Sequence, residues 1–176
     1  MADKESYSIW DHITGKCFQG EHKGKQLAYW HVRLTTVEAA LADDPDLTIS
    51  LSNFKGFKAR FMQGVYKGSI NSKGFIPPMF KKTMAGEIDG RLPKMTQGLG
   101  VIVDEIGKFY PMNLLEKGES IEDVWQERPL RITRGAIDGV LTAVWLDTNE
   151  MPMQLLSRWY GFSFTYIGCD IYSSEK

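Results

Sequence analysis

Two apolar runs, 130–137 and 140–145, meet at Asp138-Gly139. An Asp-Gly pair between such runs is a strong hairpin signal, because both central residues of the tight turn need positive φ. The other apolar runs are equally short and equally close to turn residues. Residues 99–103 read as a short buried strand, 104–107 as a turn, and 108–110 as the returning strand. The aromatic and β-branched run 27–33 also reads as a strand, and the apolar–polar alternation of 47–52 and 57–61 predicts half-buried ones. Helices are few. Thr35-Thr36-Val37-Glu38 has capping-box spacing, with Thr35 capping the amide of Glu38, and Asp43-Asp44-Pro45 ends that helix. Pro111 suits a first helical position, 113–117 continues, and Gly118 stops it. Residues 120–123 and 153–159 read as further short helices and 162–172 as a last strand. No long helices are present to cover both faces of a parallel sheet. The expected fold is therefore mainly β: barrel-like, or two curved antiparallel sheets, with a few short helices.

The chain has 176 residues, 43% of them hydrophobic, which is enough for a buried core. A single domain is expected, with two related halves, 7–52 and 91–173, joined by a basic connection, 53–86. A faint internal echo supports the halves: Thr35-Thr36, Pro45-Asp46 and Thr48-Ile49 share an outline with Ser157-Arg158-Trp159, Cys169-Asp170 and Ile171. No run reaches the roughly 18 apolar residues of a membrane span, and the polar first residues lack the apolar centre of a secretory signal. A cytoplasmic protein is expected. Cys17 and Cys169, far apart, make no disulfide framework. A net charge of −1 excludes strong whole-molecule attraction to nucleic acid, though not a local patch.

Two regions carry a pattern of glycines and aromatics. The first runs through Trp10, Thr14-Gly15, Gly20, Gly24 and Leu27, then Thr35-Thr36 and Pro45-Asp46. The second runs through Arg91-Leu92-Pro93, Leu99-Gly100-Val101, Gly107 and Tyr110-Pro111. Together they resemble the bacterial domain-of-unknown-function family 3179, which has a Gly-Gly hairpin where this chain has Asp138-Gly139. The resemblance implies a β-rich fold and leaves the activity unknown. In some relatives a Cys-Pro-x-Cys-type or selenocysteine motif follows the hairpin, which implies thiol redox or metal chemistry there. The corresponding stretch here, Val144-Trp145-Leu146-Asp147-Thr148, has no cysteine, and an export signal of the kind common in relatives is not expected.

Coordinating and nucleophilic side chains concentrate in 10–27. His12, Cys17 and His22 are a candidate metal set, since imidazole and thiolate suit zinc or copper, although their spacing matches no established finger or zincin. Cys17 with His12 or His31 is a candidate catalytic pair, because a neighbouring imidazolium favours the thiolate. The alternative is a glycine-rich turn in which Cys17 is a small buried hydrophobe. No triad order, nucleophile elbow or phosphate loop is present, and no particular cofactor is indicated.

Five tryptophans, Trp10, Trp30, Trp125, Trp145 and Trp159, are core candidates, some of which could line an apolar pocket. The favoured function is binding of a small apolar or aromatic ligand, with a thiol- or metal-dependent enzyme as the alternative. Segment 53–86 has seven basic and no acidic residues, interleaved with aromatics such as Phe57, Phe61 and Phe80. Such composition serves single-stranded nucleic acid or another polyanion, but no RNA-binding signature accompanies it. A solvated connection anchored by its aromatics is preferred. Single-stranded oligonucleotides should then show no binding in a filter assay even at low salt. Salt-sensitive binding abolished by changing Lys55, Lys58 and Arg60 together to Ala would overturn that reading.

Overall fold

The structure, a computed structural model, describes residues 1–11, 14–28, 31–50, 56, 61 and 87–173. They fall into two compact units, Met1–Leu34 and Thr35–Lys176. Of the predicted strand at 57–61 only Phe61 is described, and it is helical and 63% exposed rather than a strand residue anchoring the connection to the core. Nearly all the rest of the basic connection 53–86 lies outside the described residues.

The first unit is a small two-stranded sheet, β1 (Ile9–Trp10) antiparallel to β2 (Cys17–Gln19). The chain folds back again after β2: Gly24 N donates to Cys17 O and Cys17 N to Lys25 O. Gly20, at φ 96°, makes the bend possible, and a Cβ there would collide with the backbone of Tyr7 and Ser8. Ser8 is fully buried beneath it and accepts from the His22 amide at 3.1 Å. The expected strand at 27–33 is not seen in residues 27–28 and 31–33, the part of it that is described. Its described residues have no regular structure and are exposed.

Among its described residues the second unit holds two sheets, and two short helices of more than one described residue. Helix α1 (Val37–Asp43) begins where the capping box placed it, one residue along: Thr36, not Thr35, is the N-cap, accepting from Ala39 N at 3.2 Å. Thr35 instead donates to Asp138 at 2.7 Å. Residues 47–50 are without regular structure rather than a strand.

Strand β3 (Gln97–Val103) is central to a four-stranded sheet. It pairs antiparallel with β4 (Ile106–Pro111) and β8 (Met153–Arg158), and β4 pairs in parallel with the short β9 (Asp170–Ile171). The second sheet is the antiparallel meander β5 (Ser120–Trp125), β6 (Arg128–Arg134), β7 (Leu141–Trp145). Period-two alternation sorts every strand between two faces. Leu99, Val101 and Tyr110 meet Trp125, Leu130, Ile132, Leu141, Ala143 and Trp145 of the three-stranded sheet in one core. Ile102 and Phe109, on the opposite face, meet Trp159, Phe162, Tyr166 and Cys169 from helix α2 (Trp159–Thr165) and the turn after it. The four-stranded sheet is therefore a middle layer. Burial on both faces explains why 99–103 is an unbroken apolar run rather than an alternating one.

Two hairpins use two-residue turns with positive φ at both positions, Asp104-Glu105 (47° and 68°) and Gln126-Glu127 (49° and 61°). The Asp138-Gly139 hairpin forms between the predicted strands but by a wider route. Gly135 N bonds to Val140 O, only Gly139 has positive φ, and the Asp138 carboxylate accepts from Val140 N at 3.0 Å. Residues 120–123 and 153–158 are strands, not helices, because each contributes an alternating face to a sheet. The predicted last strand, 162–172, is instead the end of α2, a turn and the two-residue β9. The turn after Pro111 is one 3-10 turn, Met112–Leu114. Mainly β architecture holds, but the described strands form three separate sheets and close no barrel. Among the described residues no helix is long and apolar enough to cross a membrane.

Glycines set the spacing between the middle sheet and α2. A Cβ on Gly100 would lie inside the contact distance of the Phe162 ring, and one on Gly107 would meet the same ring. Gly100→Ala should lower unfolding stability by about 1–3 kcal/mol through overpacking. Adding Phe162→Leu should recover part of that loss, a non-additivity readable in urea titrations of the two single variants and the double variant.

Candidate functional site

The residues singled out in 10–27 are distributed by the turn that holds them. Cys17 is 1% exposed, and its thiol donates to Gln19 O at 3.2 Å. His22 is half-buried; its Nδ1 accepts from Lys25 Nζ at 3.1 Å, and its ring lies 6.0 Å from that of Trp10. His31 is exposed, in a stretch without regular structure. His12, needed by both the metal set and one version of the catalytic pair, lies outside the described residues. Among the described residues no group of three or more His, Cys, Asp or Glu side chains gathers at metal-holding distance. The second thiol, Cys169, is buried, which pushes its pKa up, and nearby Arg91 offsets part of that rise.

The second unit contains a polar cluster between its two sheets. Lys108 and Tyr110, two apart on β4, point at the three-stranded sheet. Asp123, on β5, points back. One Asp123 oxygen, Oδ2, accepts from Lys108 Nζ at 2.6 Å and from the Tyr110 hydroxyl at 2.8 Å. The ammonium lies 5.3 Å from the Trp125 ring centroid, 5.6 Å from Tyr172 and 5.7 Å from Tyr110. Tyr110 and Tyr172 are stacked. The Lys108 and Asp123 side chains are only 14% and 16% exposed. A cation so placed is held by one carboxylate and three aromatic faces, each contact strengthened by desolvation. Burial and the neighbouring Asp123 raise the Tyr110 pKa well above that of a free phenol.

A third feature is a pocket of about 430 Å³ at one end of the middle sheet. Met95, Thr96 and Gln97 lead into β3, Met112 and Asn113 follow β4, and Arg134 ends β6; all six line it. The register brings them together, since Gly98 pairs with Pro111. Arg134 is fixed by backbone carbonyls. Its Nη1 donates to Leu115 O at 2.6 Å and to Met112 O at 3.4 Å, and its Nε to Gly139 O at 3.2 Å. Met95 is held from behind by Arg158, whose Nη1 lies 3.5 Å from the thioether sulfur. The four described tryptophans are all buried core residues, and none lines this pocket.

The family model described as "Protein of unknown function (DUF3179)" matches residues 1–152. The chain belongs to this family. No curated protein and no solved structure matches it. The pattern of glycines and aromatics behind the DUF3179 resemblance turns out to build the fold. Gly20 allows the bend over Ser8, Gly100 and Gly107 seat Phe162, and Tyr110 joins the interface cluster. Arg91 pairs with Asp89 at 2.7 Å, donates to Cys169 O and lies over the Trp159 ring. The DUF3179 match stops just before β8. That strand, α2 and β9 complete the middle sheet and its second core.

Sequence reasoning missed Lys108, Tyr110, Asp123 and Arg134. A lysine on the inward register of a strand was the available signal for Lys108. Asp123 was hidden by assigning 120–123 to a helix, which removed its partner face. Nothing in sequence marks Arg134, because its partners are main-chain atoms.

The raised Tyr110 pKa has a sign. A phenol held protonated in the folded state contributes stability in full below about pH 10, where free tyrosine ionises, and loses it as pH climbs past that value. Unfolding stability should therefore fall above about pH 10 more steeply in the wild type than in Tyr110→Phe. Urea titrations of both proteins between pH 8 and 11 check this; parallel pH profiles would contradict it.

Proposed function

We propose that this protein binds a small molecule with an apolar body, seated in the pocket lined by Met95, Thr96, Gln97, Met112, Asn113 and Arg134. The pocket is the observation that carries the reading. Its volume lies within the roughly 300–1,000 Å³ usual for small-ligand sites. Two thioethers supply adaptable apolar contact, and methionine is suited to irregular ligand surfaces. Three polar side chains and a guanidinium around them supply orientation. The seat differs from the barrel interior expected from sequence, because the four described tryptophans fill the core instead. Two buried free thiols support a reducing compartment, so the proposal places the protein in the cytoplasm.

Ligand-observed NMR with a library of small apolar and aromatic fragments tests the reading. Fragments that bind the wild type should lose at least about tenfold in affinity to Met112→Trp, whose indole would occupy the pocket. That loss corresponds to about 1.4 kcal/mol. Fragment binding indifferent to this substitution would place the site elsewhere.

A further inference from the structure

Resting on that pocket, we infer that its ligand carries a carboxylate, bound at the Nη2 edge of Arg134. A guanidinium has five N–H donors in a fixed plane. Three of them, on Nε and Nη1, go to the carbonyls of Gly139, Met112 and Leu115. These bonds cap the end of the 3-10 turn and explain why the side chain is there. They neutralise no charge. Arg91, Arg128 and Arg131 each have a carboxylate partner, Asp89, Asp147 and Glu122 respectively. Arg134 has none among the described residues, and its two Nη2 donors have no protein acceptor there.

The described walls of the pocket contain no acidic side chain. The site therefore offers a half-buried positive charge, held in place by the main chain, beside neutral donors on Asn113, Gln97 and Thr96. A charge-assisted hydrogen bond to an anion is roughly twice as strong as a neutral one, and rigid donors lose little freedom on binding. The anion's class follows from which donors remain. With Nε and Nη1 occupied, Arg134 cannot present the usual two-nitrogen fork. It presents one nitrogen, which suits one oxygen of a carboxylate, the other oxygen falling to a neutral donor such as the Asn113 amide. A phosphate would bring a third oxygen and close to a second charge, for which no further cation lines the described walls. The apolar remainder of the ligand lies against Met95 and Met112.

The probes are hexanoate, hexanamide and hexyl phosphate, titrated into the 176-residue chain carrying ¹³C-labelled methionine methyl groups. Hexanoate should move the Met95 and Met112 methyl signals saturably. Hexanamide, of the same size without the charge, should bind at least about tenfold more weakly, and hexyl phosphate more weakly than hexanoate. Asn113→Ala, at an exposed position, should weaken hexanoate severalfold, a larger factor than it takes from hexanamide. Arg134→Lys should do the same more strongly; the wild-type comparison stands even if that variant loses stability with its cap. Equal binding of hexanoate and hexanamide would overturn the carboxylate and leave the pocket intact. Tighter binding of hexyl phosphate would overturn the carboxylate in favour of phosphate. No movement of the Met95 and Met112 signals with any of the three would overturn both the carboxylate and the pocket.

Discussion

A sheet covered on both faces must be apolar on both, and at least one cover must come very close. In the second unit Gly98, Gly100 and Gly107 satisfy the second demand. They leave a trough in the middle sheet into which the rings of Phe109 and Phe162 settle, with Trp159 alongside. Helix α2 has only seven residues and no side-chain N-cap, so its intrinsic stability is small. Packing into the trough holds it, together with the bond from Trp159 Nε1 to Asp89 O at 2.9 Å. With one face closed in this way, β3 and β4 can give the other face to the three-stranded sheet.

That other face is not uniformly apolar. Lys108 is carried into it by the alternation of β4, and its charge must be answered inside. Asp123, Tyr110 and the rings of Trp125 and Tyr172 do so. Such an arrangement need not stabilise more than a hydrophobic replacement would, but removing one charge strands the other at a loss of about 3–5 kcal/mol. Its effect is directional: β4 and β5 can satisfy the pair in one relative register only. Gln154 makes a second tie between the sheets. Its side-chain amide accepts from Ala143 N at 2.8 Å and donates to Ala143 O at 3.1 Å, acting as a strand partner for β7.

The pocket follows from the same assembly. Its six residues come from the entrance of β3, the exit of β4 and the end of β6, which lie together only once the two sheets have packed. Arg134 spans the join, since its carbonyl partners belong to the 3-10 turn after β4 and to the hairpin after β6. Holding the fold and presenting a charge to a ligand are here two uses of one guanidinium, divided between its nitrogens.

The sequence by itself determined the local events. The capping threonines, the turn at Asp104-Glu105, the hairpin around Gly139 and the apolar run 99–103 are each decided by neighbours along the chain, so short-range chemistry reveals them. Family membership was legible for a similar reason, because glycines needed for bends and close approaches leave fixed marks. The strands at 120–125 and 153–158, the helix at 159–165 and the open sheets in place of a barrel were decided only by tertiary structure. Short segments such as these take the conformation that completes a sheet or fills a trough, and their own propensities are too weak to resist. The candidate site belongs to the same class. Cys17 and the histidines were conspicuous by type, whereas Arg134 and Lys108 take their roles from carbonyls, rings and a carboxylate that are distant in sequence and meet only when the two sheets close.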